Sequence, residues 1–172
     1  VIPEANNPFK ENEQKAIMNF VKNGGSVIFI PDHYNADRNL NRIDSSESMN
    51  GYRRGAYENM TKDMNNEEKN SNVMHNVKSS DWLSQNFGVR FRYNALGDIN
   101  TQNIVSSKDS FGITKGVQSV SMHAGSTLAI TDPNKAKGII YMPEHLTHSQ
   151  KWSHAVDQGL SLIHISEPTR LR

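Results

Sequence analysis

The feature that most constrains the fold is the apolar run Val27-Ile28-Phe29-Ile30, set just behind Gly24-Gly25. Consecutive large apolar residues suit a strand covered on both faces, as in a parallel sheet. Ahead of it, Ala16, Ile17, Phe20 and Val21 recur at helical spacing, and Gly24-Gly25 stands where a helix C-terminus needs a residue able to take positive φ. Val1-Ile2-Pro3 reads as the end of another buried strand, and Asn7-Pro8-Phe9 as the turn into the helix. Parallel neighbours cannot be joined by a hairpin, so strand, helix, strand implies a crossover unit of an α/β sheet.

Further along, Asp81 to Phe87 is expected to be helical, with Ser79 or Ser80 as N-cap and Gly88 as terminator, followed by a strand from Val89 to Tyr93. Gly116 to Met122 suggests another strand. Ser126 to Thr131 and Lys137 to Met142 flank Asp132-Pro133-Asn134 and read as a hairpin. Between the crossover unit and the Asp81 helix, residues 32–78 form a long polar insertion rich in Asn. Tyr52 and Tyr57, near Gly51 and Gly55, argue that its first half is ordered, whereas Lys62 to Asn72 reads as a mobile loop.

Composition narrows the class. The chain has 172 residues, 35% hydrophobic and 22% charged, with no Cys and a formal charge of +1. One modest domain with long polar loops fits these values, and the lack of Cys removes disulfides, thiolate metal sites and Cys nucleophiles. No apolar stretch is long enough to span a bilayer, so no membrane insertion is expected. Near-neutral charge gives no bulk attraction to nucleic acid or anionic lipid. The chain begins at Val1 without an initiator Met, as expected of a segment of a longer protein. Residues 160–172 resemble the translation of a sequencing adapter, and without them the formal charge falls to zero. The expected organisation is a single domain over residues 1–159, truncated at its N-terminus, followed by an artefactual tail.

In a parallel α/β sheet, ligands bind beyond the carboxyl ends of the strands, where loops and helix N-termini present free groups. Glu4 leaves the first strand at that edge, and Asp32, His33, Tyr34, Asn35, Asp37 and Arg38 leave the next. This set suits hydrogen bonding to a polyhydroxylated ligand with Tyr34 stacking beside it; alternatively Asp32, His33 and Asp37 suit a divalent cation. A plainer reading has Asp32 and Asn35 capping the turn while Asp37 pairs with Arg38 or Arg42. Arg53 and Arg54, flanked by Tyr52 and Tyr57, suit an anionic ligand, or else tie the insertion to Asp44, Glu47 or Glu58. His123 reaches the same edge only if its strand is parallel. His145, His148 and His154 lack an assured metal geometry. Ser126, after Gly125, begins a β-like run rather than a nucleophile elbow, and no phosphate-binding loop is present.

The pieces Val1-Ile2-Pro3, Asn7-Pro8-Phe9, Phe20-Val21 and Gly24 to Ile30 together resemble the class I glutamine amidotransferase-like superfamily. The resemblance is strongest to its non-catalytic branch, which includes gliding-motility auxiliary transport, intraflagellar-transport N-terminal and trehalose-utilisation-type domains. Trp82 to Val89 is similar to that branch's helix, Gly, strand step, and Gly112 to Val117 to its His-Pro-Ile-Thr-x-Gly-Val segment, with Phe111-Gly112 replacing His-Pro. The resemblance covers residues 1–30 and 81–142 and omits the insertion. It implies a flavodoxin-like three-layer sandwich with a mostly parallel sheet. Lys10 stands where the family places Ser or Thr, although Glu13 keeps half of a capping box.

The resulting expectation is a non-catalytic, carbohydrate-binding domain of a larger bacterial protein, needing no cofactor and joined to other domains of the same chain. Alternatives from other classes are a metal-assisted hydrolase using Asp32, His33 and Asp37, and a nucleic-acid-binding module of a secreted protein using Arg53, Arg54, Arg90 and Arg92. The Asn-rich, Cys-free composition leans towards the cell envelope or exterior.

Overall fold

A computed structural model of the chain describes residues 1–33, 36, 43–53, 58–123 and 125–143. Its elements run β1 (Ile2–Pro3), α1 (Glu11–Lys22), β2 (Phe29–Ile30), α2 (Ser45–Asn50), α3 (Asn66–Lys69), α4 (Trp82–Phe87), β3 (Val89–Phe91), β4 (Ile99–Thr101), β5 (Val120–Met122) and β6 (Leu128–Ile130). The chain is thus mixed α and β with small sheets. Among the described residues β1 and β2 pair in parallel, while β3 pairs with β6 and β4 with β5 in antiparallel fashion. The expectation of a mostly parallel sheet therefore holds only for the first unit.

That first unit forms for local reasons. The Glu13 carboxylate accepts from the Lys10 N–H at 2.7 Å; the Lys10 ammonium has no acceptor with which to reciprocate. At the other end, Gly24 takes φ +91°, and the N–H groups of Gly24 and Gly25 bond the carbonyls of Val21 and Phe20, both at 2.9 Å. This is the reciprocal pair of a Schellman cap. The inward stripe of α1 is Gln14, Ile17, Met18 and Val21, at i, i+3, i+4 and i+7. Ala16 and Phe20, expected on that face, are exposed. β2 also departs from expectation, because Ile28 and Ile30 are exposed while Val27 and Phe29 are partly covered. One face of this ladder is bare, so the run is not enclosed on both sides.

Among the described residues two apolar clusters hold the molecule. The larger gathers Met49, Trp82, Leu83 and Phe91, with Ile2, Phe9, Ile17, Met18, Phe29 and Phe87 packed against them. Trp82 meets Phe9, Phe29 and Phe87 edge-on at centroid distances of 5.8, 6.0 and 6.0 Å. Such pairs add about 0.5–1.5 kcal/mol beyond burial. This cluster ties the parallel unit to α2, α4 and β3. The smaller cluster, Ile43, Met60, Met64 and Met74 with Val73 and Val77, lies wholly within the insertion. Residues 62–72 are therefore not a simple mobile loop: α3 begins with a full capping box, in which Asn65 and Glu68 each accept the other's N–H. Every residue of α2 is buried as well.

Helix α4 begins differently from the expectation. Its N-cap is Asp81, at φ +47°, rather than Ser79 or Ser80. The Asp81 carboxylate takes both Nε and Nη2 of Arg90, a fork that fixes α4 onto β3. Gly88 ends the helix at φ +71°, and a side chain there would lie 2.8 Å from the Asp132 carbonyl. The expected hairpin is replaced by two separate pairings. The turn at Asp132 exists, but Gly88 O accepts from the Thr131 and Asp132 N–H groups, which binds β6 to β3. The following segment instead bridges Ile140 to Ile104. Of the expected strand 116–122, only Val120–Met122 is extended.

Candidate functional site

The parallel register sets Ile2 opposite Phe29 and Pro3 opposite Ile30, so Glu4 and Asp32 leave the same edge of the ladder. Glu4 donates its N–H to Ile30 O at 2.7 Å and then turns at φ +43°. A non-glycine residue in that region stores backbone strain, which is concentrated at binding sites. The turn sets Glu4 on a groove of about 390 Å³, lined by residues 4–10, Glu13 and Val73. Its polar groups are Glu4, Asn6, Asn7, Lys10 and Glu13, and its apolar surface comes from Pro8, Phe9 and Val73. Acceptors, donors and an aromatic ring stand within one concavity of a size that suits a small ligand. Val73 belongs to the insertion, which thereby supplies one wall.

Asp32 and His33 open on different surroundings. The Asp32 N–H donates to Ser45 Oγ at 2.8 Å, and Ser126 Oγ donates to the Asp32 carbonyl at 3.4 Å. The Asp32 carboxylate accepts from the His33 N–H at 2.6 Å, with His33 Nε2 at 3.7 Å from the same oxygen. Neither residue lines the groove. Asp32 thus stabilises the turn after β2 and anchors it to the start of α2, which accords with the plainer sequence reading. Tyr34, Asn35, Asp37, Arg38 and Arg54 lie outside the described residues, as do His145, His148 and His154. Among the described residues no group of three or more His, Asp or Glu converges as a metal site would require.

Of the arginines read as ligand or nucleic-acid contacts, Arg53 and Arg90 are engaged internally. Arg53 is 3% exposed, with Nη1 3.3 Å from Glu47 Oε2. It therefore ties the insertion together, as the structural alternative had it, and does not face a ligand. Arg90 is forked onto Asp81 and lies 5.7 Å from the Tyr52 ring centroid, and Arg92 is buried. These three form no exposed basic stripe of the kind that tracks a phosphate backbone. His123 follows β5, which runs antiparallel to β4 rather than parallel, and pairs with Asp98 on the surface.

The groove residues Asn6, Asn7, Lys10 and Glu13 were not singled out as ligand contacts from the sequence. The signal was available: they occupy the connection from the first strand to the first helix, which the carboxyl-edge rule makes a ligand loop. Compared with protein-family models, curated proteins and solved structures, the chain matches none.

Proposed function

We propose that this chain is a non-catalytic ligand-binding domain that takes a small polyhydroxylated ligand, a carbohydrate, in the groove at the carboxyl end of β1. The supporting observation is the groove itself: two carboxylates, two amides and an ammonium surround Phe9 and Val73. Sugars offer hydroxyls that both donate and accept, together with C–H faces that pack on rings, and this lining answers both needs. The crossover from β1 through α1 to β2 supports a flavodoxin-like arrangement of the amidotransferase-like kind, whose ligand edge would be this one.

The test is a glycan array followed by calorimetry on the full chain with Glu4→Ala and Lys10→Ala. Loss of one charge-assisted bond, about 1.5–3 kcal/mol, weakens binding roughly tenfold or more. Asp32→Ala leaves affinity nearly unchanged, because Asp32 lies off the groove. Absence of any glycan binding, or binding indifferent to Glu4→Ala, removes the proposal.

A further inference from the structure

Away from the groove, the loop 106–117 holds its most apolar side chains out in water. Phe111 is 89% exposed, Ile113 67% and Val117 42%, with Ile140 at 45% on the adjoining segment. The loop is nevertheless tightly built. Ser110 and Thr114 are buried and their hydroxyls lie 2.6 Å apart. Thr114 Oγ1 donates to Val105 O at 2.8 Å, and the Gly112 N–H donates to Ser107 O at 2.8 Å. Phe111 itself sits at φ +55°, a conformation that a bulky L-residue rarely adopts. A rigid polar base thus holds a phenyl ring and a branched alkyl group outward at the expense of backbone strain, the pattern of a contact surface rather than of a frayed loop.

The charges around the tip indicate what it meets. Lys108 and Lys115 flank Phe111 and Ile113 in sequence, and Lys137 lies two residues before Ile139, whose carbonyl accepts the Val105 N–H at 2.9 Å. All three lysines are exposed, and none forms an ion pair among the described residues. The loop's own carboxylate, Asp109, accepts from Ser106 Oγ at 2.7 Å. An apolar tip with lysines on either side of it along the loop matches an anionic bilayer surface, where rings enter the acyl boundary and ammonium groups stay with the phosphates. Among the described residues no helix is long and apolar enough to cross a membrane. We propose that the loop 106–117 docks the protein on an anionic lipid surface by shallow insertion of Phe111 and Ile113.

The experiment is co-sedimentation of the full chain with vesicles of pure phosphatidylcholine and of phosphatidylcholine mixed with phosphatidylglycerol. Wild type is expected to sediment with the mixed vesicles, less as salt is raised and little with the neutral ones. Phe111→Asn removes the ring yet suits the positive φ, so it preserves or raises thermal stability while lowering partition about tenfold. Lys108→Gln and Lys115→Gln each lower it about fivefold and reduce the preference for anionic lipid. The proposal is overturned if wild type stays in the supernatant, if it binds both vesicle types equally, or if a folded Phe111→Asn variant binds like wild type. Self-association of wild type in the absence of lipid, lost in Phe111→Asn, also overturns it by assigning the tip to a second copy.

Discussion

Removing the side chain of Asn50 is the most informative perturbation of this fold. Asn50 closes α2, and its amide matches the backbone of Phe91 in β3: Nδ2 donates to Phe91 O at 2.8 Å, and Oδ1 accepts from the Phe91 N–H at 2.9 Å. The side chain thus does for this strand what a neighbouring strand would do, and it is buried along with Phe91. Asn50→Ala takes these two hydrogen bonds from buried backbone groups, at about 1–3 kcal/mol each. Water entering the vacated space offsets part of this, giving a net loss of about 2–4 kcal/mol. Against a total stability of about 5–15 kcal/mol, the urea midpoint should fall by roughly 1–2 M. Asn50→Asp separates the two bonds. The carboxylate still accepts from the Phe91 N–H, but it cannot donate to Phe91 O, and burial pushes its pKa above the unfolded value. A folded-state pKa that is raised gives stability present at low pH and lost as pH rises through it. Asn50→Asp should therefore approach wild type below about pH 4 and fall progressively behind towards neutrality. Urea titrations at several pH values measure both effects. An Asn50→Ala midpoint indistinguishable from wild type, or an Asp penalty independent of pH, would refute the reasoning.

Three further outcomes follow from other parts of the structure. Gly24→Ala meets no heavy atom within 4 Å, so its cost of about 1 kcal/mol is purely that of φ +91°, and thermal melts should show Gly24→Asn less affected. Glu47→Ala takes this carboxylate from the buried guanidinium of Arg53 and from the Asp44 N–H, so chemical denaturation should register a loss of about 3–5 kcal/mol. The hydrogen bond and charge of Lys15, aided by the charge of Lys78, hold the Glu11 carboxyl below its ordinary range. That contribution is present above the unfolded value and lost as pH falls through the folded one; NMR titration of Lys15→Gln should show Glu11 returning upwards.

The parallel first unit was legible in the sequence because its signals are local. A glycine after a helical stripe and a carboxylate three residues into the helix each act over a few residues, and Gly24 and Glu13 behave as those signals imply; the apolar run pairs in parallel as expected, but with one face open. The end of α4 at Gly88 is legible for the same reason. The insertion misled because burial is not a property of a string. Ser45 to Asn50 is wholly polar apart from Met49, yet every residue of it is buried, with Glu47 held by Arg53 and Asn50 by the backbone of Phe91. The choice of partner for β6 is likewise non-local: the turn at Asp132 permits a hairpin, and the carbonyl of Gly88 decides against it. The groove falls in the same category. Its residues from 4 to 13 are contiguous, but the wall at Val73 is supplied by a segment that only tertiary packing brings alongside them. Local dihedral and capping preferences are written into neighbouring residues, whereas enclosure and pairing depend on which distant groups arrive to satisfy hydrogen bonds and exclude water.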